Sequence, residues 1–437
     1  MKYFLSALII IFSVSMGGIV NAQDQDLANS GSFYSGFGFG SPSDNYSPNS
    51  IGMGLTGVST FSNSSANISN PALWGLSGFT HGSVAVSMMN YNARDQFDSS
   101  RKALFAFEQF QLVLPVMRNR LGVSLSFSPV TRSDFQRITE GAFVPVDGIQ
   151  LDDIEFLTNT QGSGGVNKFE FGAGYRLMDN ITLGYSMGAY LLSQKQEVTA
   201  VFSDFTYRGL TYNRDINGYA FGHKFGLFAN KNSVFGSDDQ LAFGATVTLP
   251  VTIDAERSVS SFRTINGRRT LVELDQAGTS VDGTVKLPME INTGLTYNLN
   301  RFVTLSAETL IQYWDDAEYS YNSAQEAYFK DRIKTGFGVQ YHPYRTEQRG
   351  GFFSNFKYSL GSSYDTGHLN INGEDIDTLY LNAGIGFISR QSSSSIDLSF
   401  QYGMRGTESA SLVKENVWGF KLSLNLAEFM FVRPKFQ

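Results

Sequence analysis

Two glycine-framed spacings are the first places to look for chemistry. Gly52-Met-Gly-Leu-Thr-Gly57 satisfies G-x-G-x-x-G, the spacing that lets a backbone approach a pyrophosphate. A dinucleotide site also needs a strand before the glycines, a helix after them, and an acidic residue about 20 positions on. Here a Ser/Pro/Asn tract precedes, Val-Ser-Thr follows, and position 72 is alanine. Gly52, Met53, Gly54 and Gly57 therefore read as a tightly turned backbone. Gly184-Tyr-Ser-Met-Gly188 satisfies G-x-S-x-G. A nucleophile elbow requires a sharp strand-to-helix turn, whereas these residues lie inside an uninterrupted alternating run, which makes Ser186 a lining residue. The four histidines, His81, His223, His342 and His368, lack metal-ligand spacing. Asp152-Asp153 and Asp315-Asp316 fall in or beside external loops and read as solvated charge pairs. With no cysteine, thiolate metal sites, thiol catalysis and a disulfide framework are excluded. No catalytic constellation, no metal site and no cofactor site is expected, and the chain reads as something other than an enzyme.

The elements that carry these residues are strands. From about residue 82 the apolar positions alternate. Leu121, Val123, Leu125 and Phe127 share one face against Gly122, Ser124 and Ser126, and Ile181 to Leu191 repeats the arrangement. Side chains of a strand alternate faces, while a 3.6-residue period would scatter them. About fourteen such segments follow one another between residues 82 and 427. Most run 10–14 residues, longer than the 5–6 typical of globular sheets and enough for a tilted bilayer crossing of about 9–11. Connections are tight on one side (Met117 to Arg120, Met178 to Asn180, Asn298 to Asn300). On the other side they are long and polar (130–165, 194–216, 253–282), the loop asymmetry of outer-membrane barrels. The expected fold is an all-β, antiparallel transmembrane barrel of about fourteen strands over residues 81–437. Pro129, near the end of the third strand, is a candidate kink.

Composition agrees. Of 437 residues only 17% are charged, against about 25% in soluble domains, while 14% are aromatic and 44 are glycine. Lipid-facing aromatics and a Gly/Ser/Asn lumen average to a mean hydropathy of -0.15. Net charge is -7 with no basic run, which excludes a nucleic-acid partner.

The amino end has its own organisation. Met1-Lys2, the apolar run Phe4 to Met16, and Val20-Asn21-Ala22 read as a signal peptide over residues 1–22, so the mature chain begins at Gln23. Residues 23–80 are rich in Ser, Asn and Gly yet carry Phe33, Tyr34, Phe37, Phe39, Met53, Leu55 and Phe61, which must pack against something. Asn70 suits a helix N-cap and Pro71 the first helical position, so a short helix is expected there. An even strand number places both termini on the periplasmic side of an outer membrane. Trp418 to Leu426 looks like the closing strand that barrel-assembly machinery recognises, followed by a tail from Ala427 to Gln437.

Ser50 to Val58, followed by Asn70-Pro71-Ala72, resembles the N-terminal signature of the FadL/TodX long-chain fatty acid transporter family. Leu287-Pro288 with Gly294, Tyr297 and Trp314, and Lys334 to Pro343, resemble later family runs. Leu55-Thr56 and Leu73-Trp74 depart from the usual Gly-Ala and Gly-Leu. The resemblance implies a fourteen-stranded barrel in the cell outer membrane with residues 23–80 as a hatch inside the lumen. It implies Gly52, Met53, Gly54, Gly57, Asn70, Pro71 and Ala72 as the hatch signature. Passive uptake of a hydrophobic small molecule would follow, with lateral release at a kinked strand. Outer-membrane lipid, lipopolysaccharide and, during biogenesis, barrel-assembly machinery are the other expected partners. PorV-like barrels, which act as protein-binding partners in type IX secretion, resemble the same layout. A general diffusion porin is a third reading, though porins usually lack such an N-terminal segment.

Overall fold

The computed structural model describes residues 30–143, 154–204, 209–265, 268–272, 280–321, 328–343, 352–389, 393–409 and 412–428. The expected signal peptide, Asp152-Asp153 and the tail beyond Glu428 lie outside the described residues. So do Gln23 and Gln437, the ends for which a common side was expected.

Among the described residues the strands form one closed antiparallel barrel of fourteen. In chain order they are Thr80–Arg94, Ser99–Met117, a third strand in two pieces (Leu121–Pro129 and Phe135–Phe143), Ile154–Met178, Ile181–Phe202 and Leu210–Asn232. The seventh and eighth are also divided, into Gln240–Thr248 with Val251–Ile265 and Ser280–Leu287 with Glu290–Asn298. Val303–Gln312, Arg332–Tyr341, Phe356–Asp365, Thr378–Ile388, Ser395–Arg405 and Lys414–Glu428 complete the set. Closure is made by the first and last strands, paired continuously from Thr80↔Glu428 to Arg94↔Lys414.

Which face is buried reveals the surroundings. On the fourteenth strand Lys421, Ser423 and Asn425 are buried, whereas Phe420, Leu424 and Leu426 are 46%, 40% and 66% exposed. The same inversion recurs at Phe169, Phe171, Leu183, Phe225, Leu295 and Phe337, all exposed, opposite buried Lys168, Glu170, Thr182, Lys224, Thr296 and Lys334. In water such an exterior would collapse. In hydrocarbon it is required, because a closed ladder satisfies every backbone group and the apolar face replaces water with lipid.

The fold differs from expectation at the end carrying the long connections. The segments 130–165, 194–216 and 253–282 were expected as loops, yet their described parts are mostly strand. The fourth, fifth and sixth strands run 25, 22 and 23 residues, well past the length a bilayer needs. The reason is visible in residues such as Gln194 to Thr199. Beyond the lipid neither face has to be apolar, so the apolar alternation that marks a strand disappears while the backbone ladder continues, here from Gln194↔Ile216 to Thr199↔Thr211. At the opposite end the three connections expected to be tight are short: residues 118–120, 179–180 and 299–302 join the paired strands.

A closed barrel of this length resists detergent. We expect the unheated protein to migrate differently from the boiled protein on a denaturing gel; a single mobility under both conditions would contradict closure.

Candidate functional site: the filled lumen and the break in its wall

The lumen is occupied by the chain's own N-terminal segment. Its lowest part is the short helix Pro71–Leu76, at the end with the tight turns, where Asn119 N–H donates to the Ser77 carbonyl. As expected, Asn70 is the N-cap: its side-chain oxygen accepts from the Ala72 amide and Pro71 takes the first helical position. The Asn70 amide group also donates to the Val58 carbonyl (2.9 Å) and to the Leu227 carbonyl of the sixth strand (3.0 Å). One side chain thus caps the helix and ties it to the wall.

Gly52, Met53, Gly54 and Gly57 lie higher, around a short helical turn at Ile51–Met53, and are buried. Their glycines permit contact rather than nucleotide binding. A methyl group on Gly52 would meet Ser359 Oγ at 2.1 Å, and Gly54, with φ of 69°, packs on Asn382. The wall reciprocates: Gly184 faces Ala72, Gly226 faces Pro71, and Gly244 faces Val58, each with no room for a β-carbon. Ser186, between the two glycines of the G-x-S-x-G match, is fully buried and hydrogen-bonds Glu170 at 2.5 Å, as a lining residue should.

Charged wall residues hold the segment in place. Glu308 on the ninth strand receives the Thr56 hydroxyl (2.8 Å) and the Gly57 amide (2.9 and 3.1 Å). Asp44 lies between Arg332 (2.8 and 2.9 Å) and Lys334 (2.6 Å) on the tenth strand, and Arg332 also forks onto Asp365 (2.6 Å). Lys357 bridges Asp397 (2.7 Å) and the Asn49 side chain (2.9 Å). Near the opposite end Glu415 accepts from Ser32 Oγ (2.6 Å) and the Phe33 amide (2.7 Å). Such buried charges would be unaffordable unpaired, and their geometry fixes the segment's register against the wall. The aromatic residues expected to pack do so: Phe39 stacks on Trp314 at 5.2 Å and meets Phe329, and Phe37 meets Tyr328.

The third strand breaks immediately after Pro129. Leu121–Pro129 pairs with both neighbours, but the next residues, Thr131–Arg132, turn to pair with Ser41–Pro42 of the N-terminal segment. The strand resumes at Phe135 and among the described residues pairs only with the fourth strand. On the other side, the second strand's ladder to the third ends at Phe110↔Phe127, so its upper part, Ser99 to Gln109, pairs with the first strand alone. Side chains cross the resulting gap. A register shift between Ala85 and Val86 leaves Glu108 without a ladder partner, and its carboxylate lies 3.6 Å from Arg132. Arg132 also donates to the Phe107 carbonyl (2.5 Å) and Lys102 to the Gln136 carbonyl. Behind the gap, a cavity of about 160 Å³ is lined by Glu108, Arg132, Arg405 and Lys421, and another of about 80 Å³ by Lys168, Lys224 and Glu290. Pro42, Ser43 and Asp44 border both.

A family model described as BamG matches residues 3–437. The chain belongs to the BamG family. No curated protein matches its sequence. Among solved structures it is similar to the Ralstonia pickettii toluene transporter TbuX (14% identity, 88% of this chain and 99% of that one, TM-score 0.52). It is also similar to a Pseudomonas aeruginosa FadL homologue (12%, 90% and 99%, 0.54) and to the P. putida toluene transporter TodX (13%, 89% and 100%, 0.53). At these identities the likeness is one of fold, and it agrees with the FadL/TodX resemblance read from the motifs. The chain is an outer-membrane β-barrel of that architecture.

Of the seven signature residues, all are buried in the N-terminal segment, and the structure adds what sequence reading missed: Asp44, Glu308, Arg332, Lys334 and Asp365. Isolated charges on the polar face of an alternating strand carry no sign of what they will meet inside. His81, His223, His342 and His368 stay apart, with no group of metal-binding side chains among the described residues. Replacing Arg332 by Ala leaves two buried carboxylates without their shared partner. We expect a loss of about 3–5 kcal/mol, read as a lower temperature for the gel-mobility transition. Glu308→Ala removes the segment's middle tether and should raise ion conductance in planar bilayers while the barrel stays closed.

Proposed function

We propose that this protein is an outer-membrane channel for passive uptake of hydrophobic small molecules such as long-chain fatty acids, and not an enzyme. Residues 23–80 act as its hatch, with Gly52, Met53, Gly54, Gly57, Asn70, Pro71 and Ala72 as the signature that seats it. The observation carrying this reading is the break after Pro129, where the barrel wall and the N-terminal segment share a short ladder. A ligand arriving from outside displaces the Pro42–Asp44 septum between the two cavities and leaves sideways between Phe107 and Arg132 into the membrane. The described lumen, polar and narrow, is the closed state of that path. Apolar ligands gain about 25 cal/mol per Å² on leaving water, so transfer from aqueous solution to the bilayer needs no other energy source. The TbuX and TodX barrels, named as toluene transporters, and the FadL homologue support the reading by sharing the fold. Outer-membrane lipid and lipopolysaccharide surround the exterior, and barrel-assembly machinery engages the fourteenth strand during biogenesis. No observation favours the secretion-partner alternative.

The test uses the cysteine-free background. The purified barrel should bind a labelled fatty acid saturably, with micromolar or tighter affinity. Lys102→Cys with Gln136→Cys, bridged by a short bifunctional thiol reagent, should leave binding intact and cut uptake by cells several-fold. Absence of saturable binding across fatty acids and aromatic hydrocarbons would sink the proposal. Undiminished uptake after bridging would remove the lateral exit.

A further inference from the structure

The seventh and eighth strands are interrupted at one level, and the smaller lumen cavity lies directly behind the interruption. Below it Thr248 pairs with Lys224 of the sixth strand and with Glu290 of the eighth. Above it Asp254 pairs with Tyr219 of the sixth strand and Val251 with Leu287 of the eighth. The seventh strand thus spends one more residue than the sixth in crossing this level, a bulge, although Leu249 N–H still reaches the His223 carbonyl (3.0 Å). Toward the eighth strand the register is unchanged, so Pro250 stands opposite Pro288, and neither has an N–H to give the ladder. The ladder from the eighth to the ninth strand stops at Glu290↔Gln312 and resumes at Val285↔Tyr319, with the short helical turn Trp314–Asp316 between. Three neighbouring ladders lapse together. Thr248, Leu249, Leu287, Pro288, Glu290 and Trp314, which bound the lapses, all line the cavity of about 80 Å³.

Gln240–Thr248 contains nine residues counted from the tight-turn end, as Leu121–Pro129 does, so the two interruptions of the wall lie at the same height. At roughly 3.3 Å per residue and ~45° of tilt, nine residues climb about 20 Å, inside an apolar band about 25 Å tall. Both interruptions therefore face hydrocarbon, four strands apart round the wall. At the second, Leu249 is the partition: it lines the cavity and is also 38% exposed. Phe221 and Pro250, both exposed, give the outer rim the apolar character that lipid requires. We propose that this is a second lateral passage, through which a hydrophobic small molecule crosses between the smaller cavity and the bilayer when the Leu249 side chain swings aside. For its cargo the passage rests on the channel reading above. Pro42 to Asp44 border both cavities, so each cavity has its own way into the membrane, the larger past Arg132 and the smaller past Leu249. At the first break Glu108 and Arg132 have to part; at the second one apolar side chain moves.

The sequence lacks cysteine, so Thr248→Cys places a single thiol on the cavity side of Leu249. In proteoliposomes a maleimide carried on a lipid acyl chain should label it, several-fold faster when Leu249→Ala is added and several-fold slower with Leu249→Trp. Ser423→Cys, fully buried on the lumen face of the fourteenth strand and outside both cavities, sets the background rate. A mobility change on boiling identifies the variants that form closed barrels. With Lys102→Cys and Gln136→Cys bridged, Leu249→Ala should raise the remaining uptake of a labelled fatty acid several-fold, and Leu249→Trp should remove it. Labelling of Thr248→Cys no faster than of Ser423→Cys, or at a rate indifferent to the residue at 249, would overturn the passage. So would measurable uptake through the bridged barrel that neither substitution changes. Labelling needs no ligand, so the two readings fail differently: a failed channel shows as absent saturable binding with the labelling pattern intact, a failed passage as the reverse.

Discussion

Everything in this molecule follows from the inability of hydrocarbon to accept or donate a hydrogen bond. A sheet crossing a bilayer must pair all of its backbone groups with itself, and fourteen strands closed from Thr80↔Glu428 to Arg94↔Lys414 do so. Closure creates an interior that lipid cannot reach, and the alternation of strand side chains sends every second residue into it. The interior can then hold what the exterior cannot: Lys168, Glu170, Arg332, Lys334, Asp365 and Asp397 all point inward. These charges impose the second requirement, that each find a partner, and the N-terminal segment supplies many of the partners through Asp44, Asn49 and the Thr56–Gly57 backbone.

The wall after Pro129 is the one place, among the described residues, where the two requirements meet. There the ladder between neighbouring strands lapses, and its role passes to a ladder with the N-terminal segment and to the side chains of Lys102, Glu108 and Arg132. Side-chain bridges reorganise with far less backbone movement than strand pairs do. Ser41–Pro42 thereby belong to the ladder at the break, and Pro42 to Asp44 line the cavities on both sides of it.

How much of this was legible beforehand depends on what a residue has to face. Leu121 to Phe127 and Trp418 to Leu426 announce their strands because lipid on one side and water or chain on the other force strict alternation. The Asn70-Pro71 helix start was equally plain, since cap and proline act locally. Residues 194–202 hid their strand because neither face there meets lipid. The site charges were hidden for a different reason. Glu308 and Arg332 acquire meaning only from Gly57 and Asp44, which lie more than 250 positions away in sequence and have no local signature. Pro129 marked the kink, but not the partner strand that the kink would find.

The separation of those partners has a bearing on how the barrel is made. Ser32 bonds Glu415 across 383 residues, and Asn70 bonds the sixth strand while Glu308 on the ninth grips Gly57. Glycines on the fifth, sixth and seventh strands are shaped to a backbone that already lies against them. The seam and the segment are therefore fastened at neighbouring places: the fourteenth strand that closes the barrel against the first also carries Glu415, which holds Ser32.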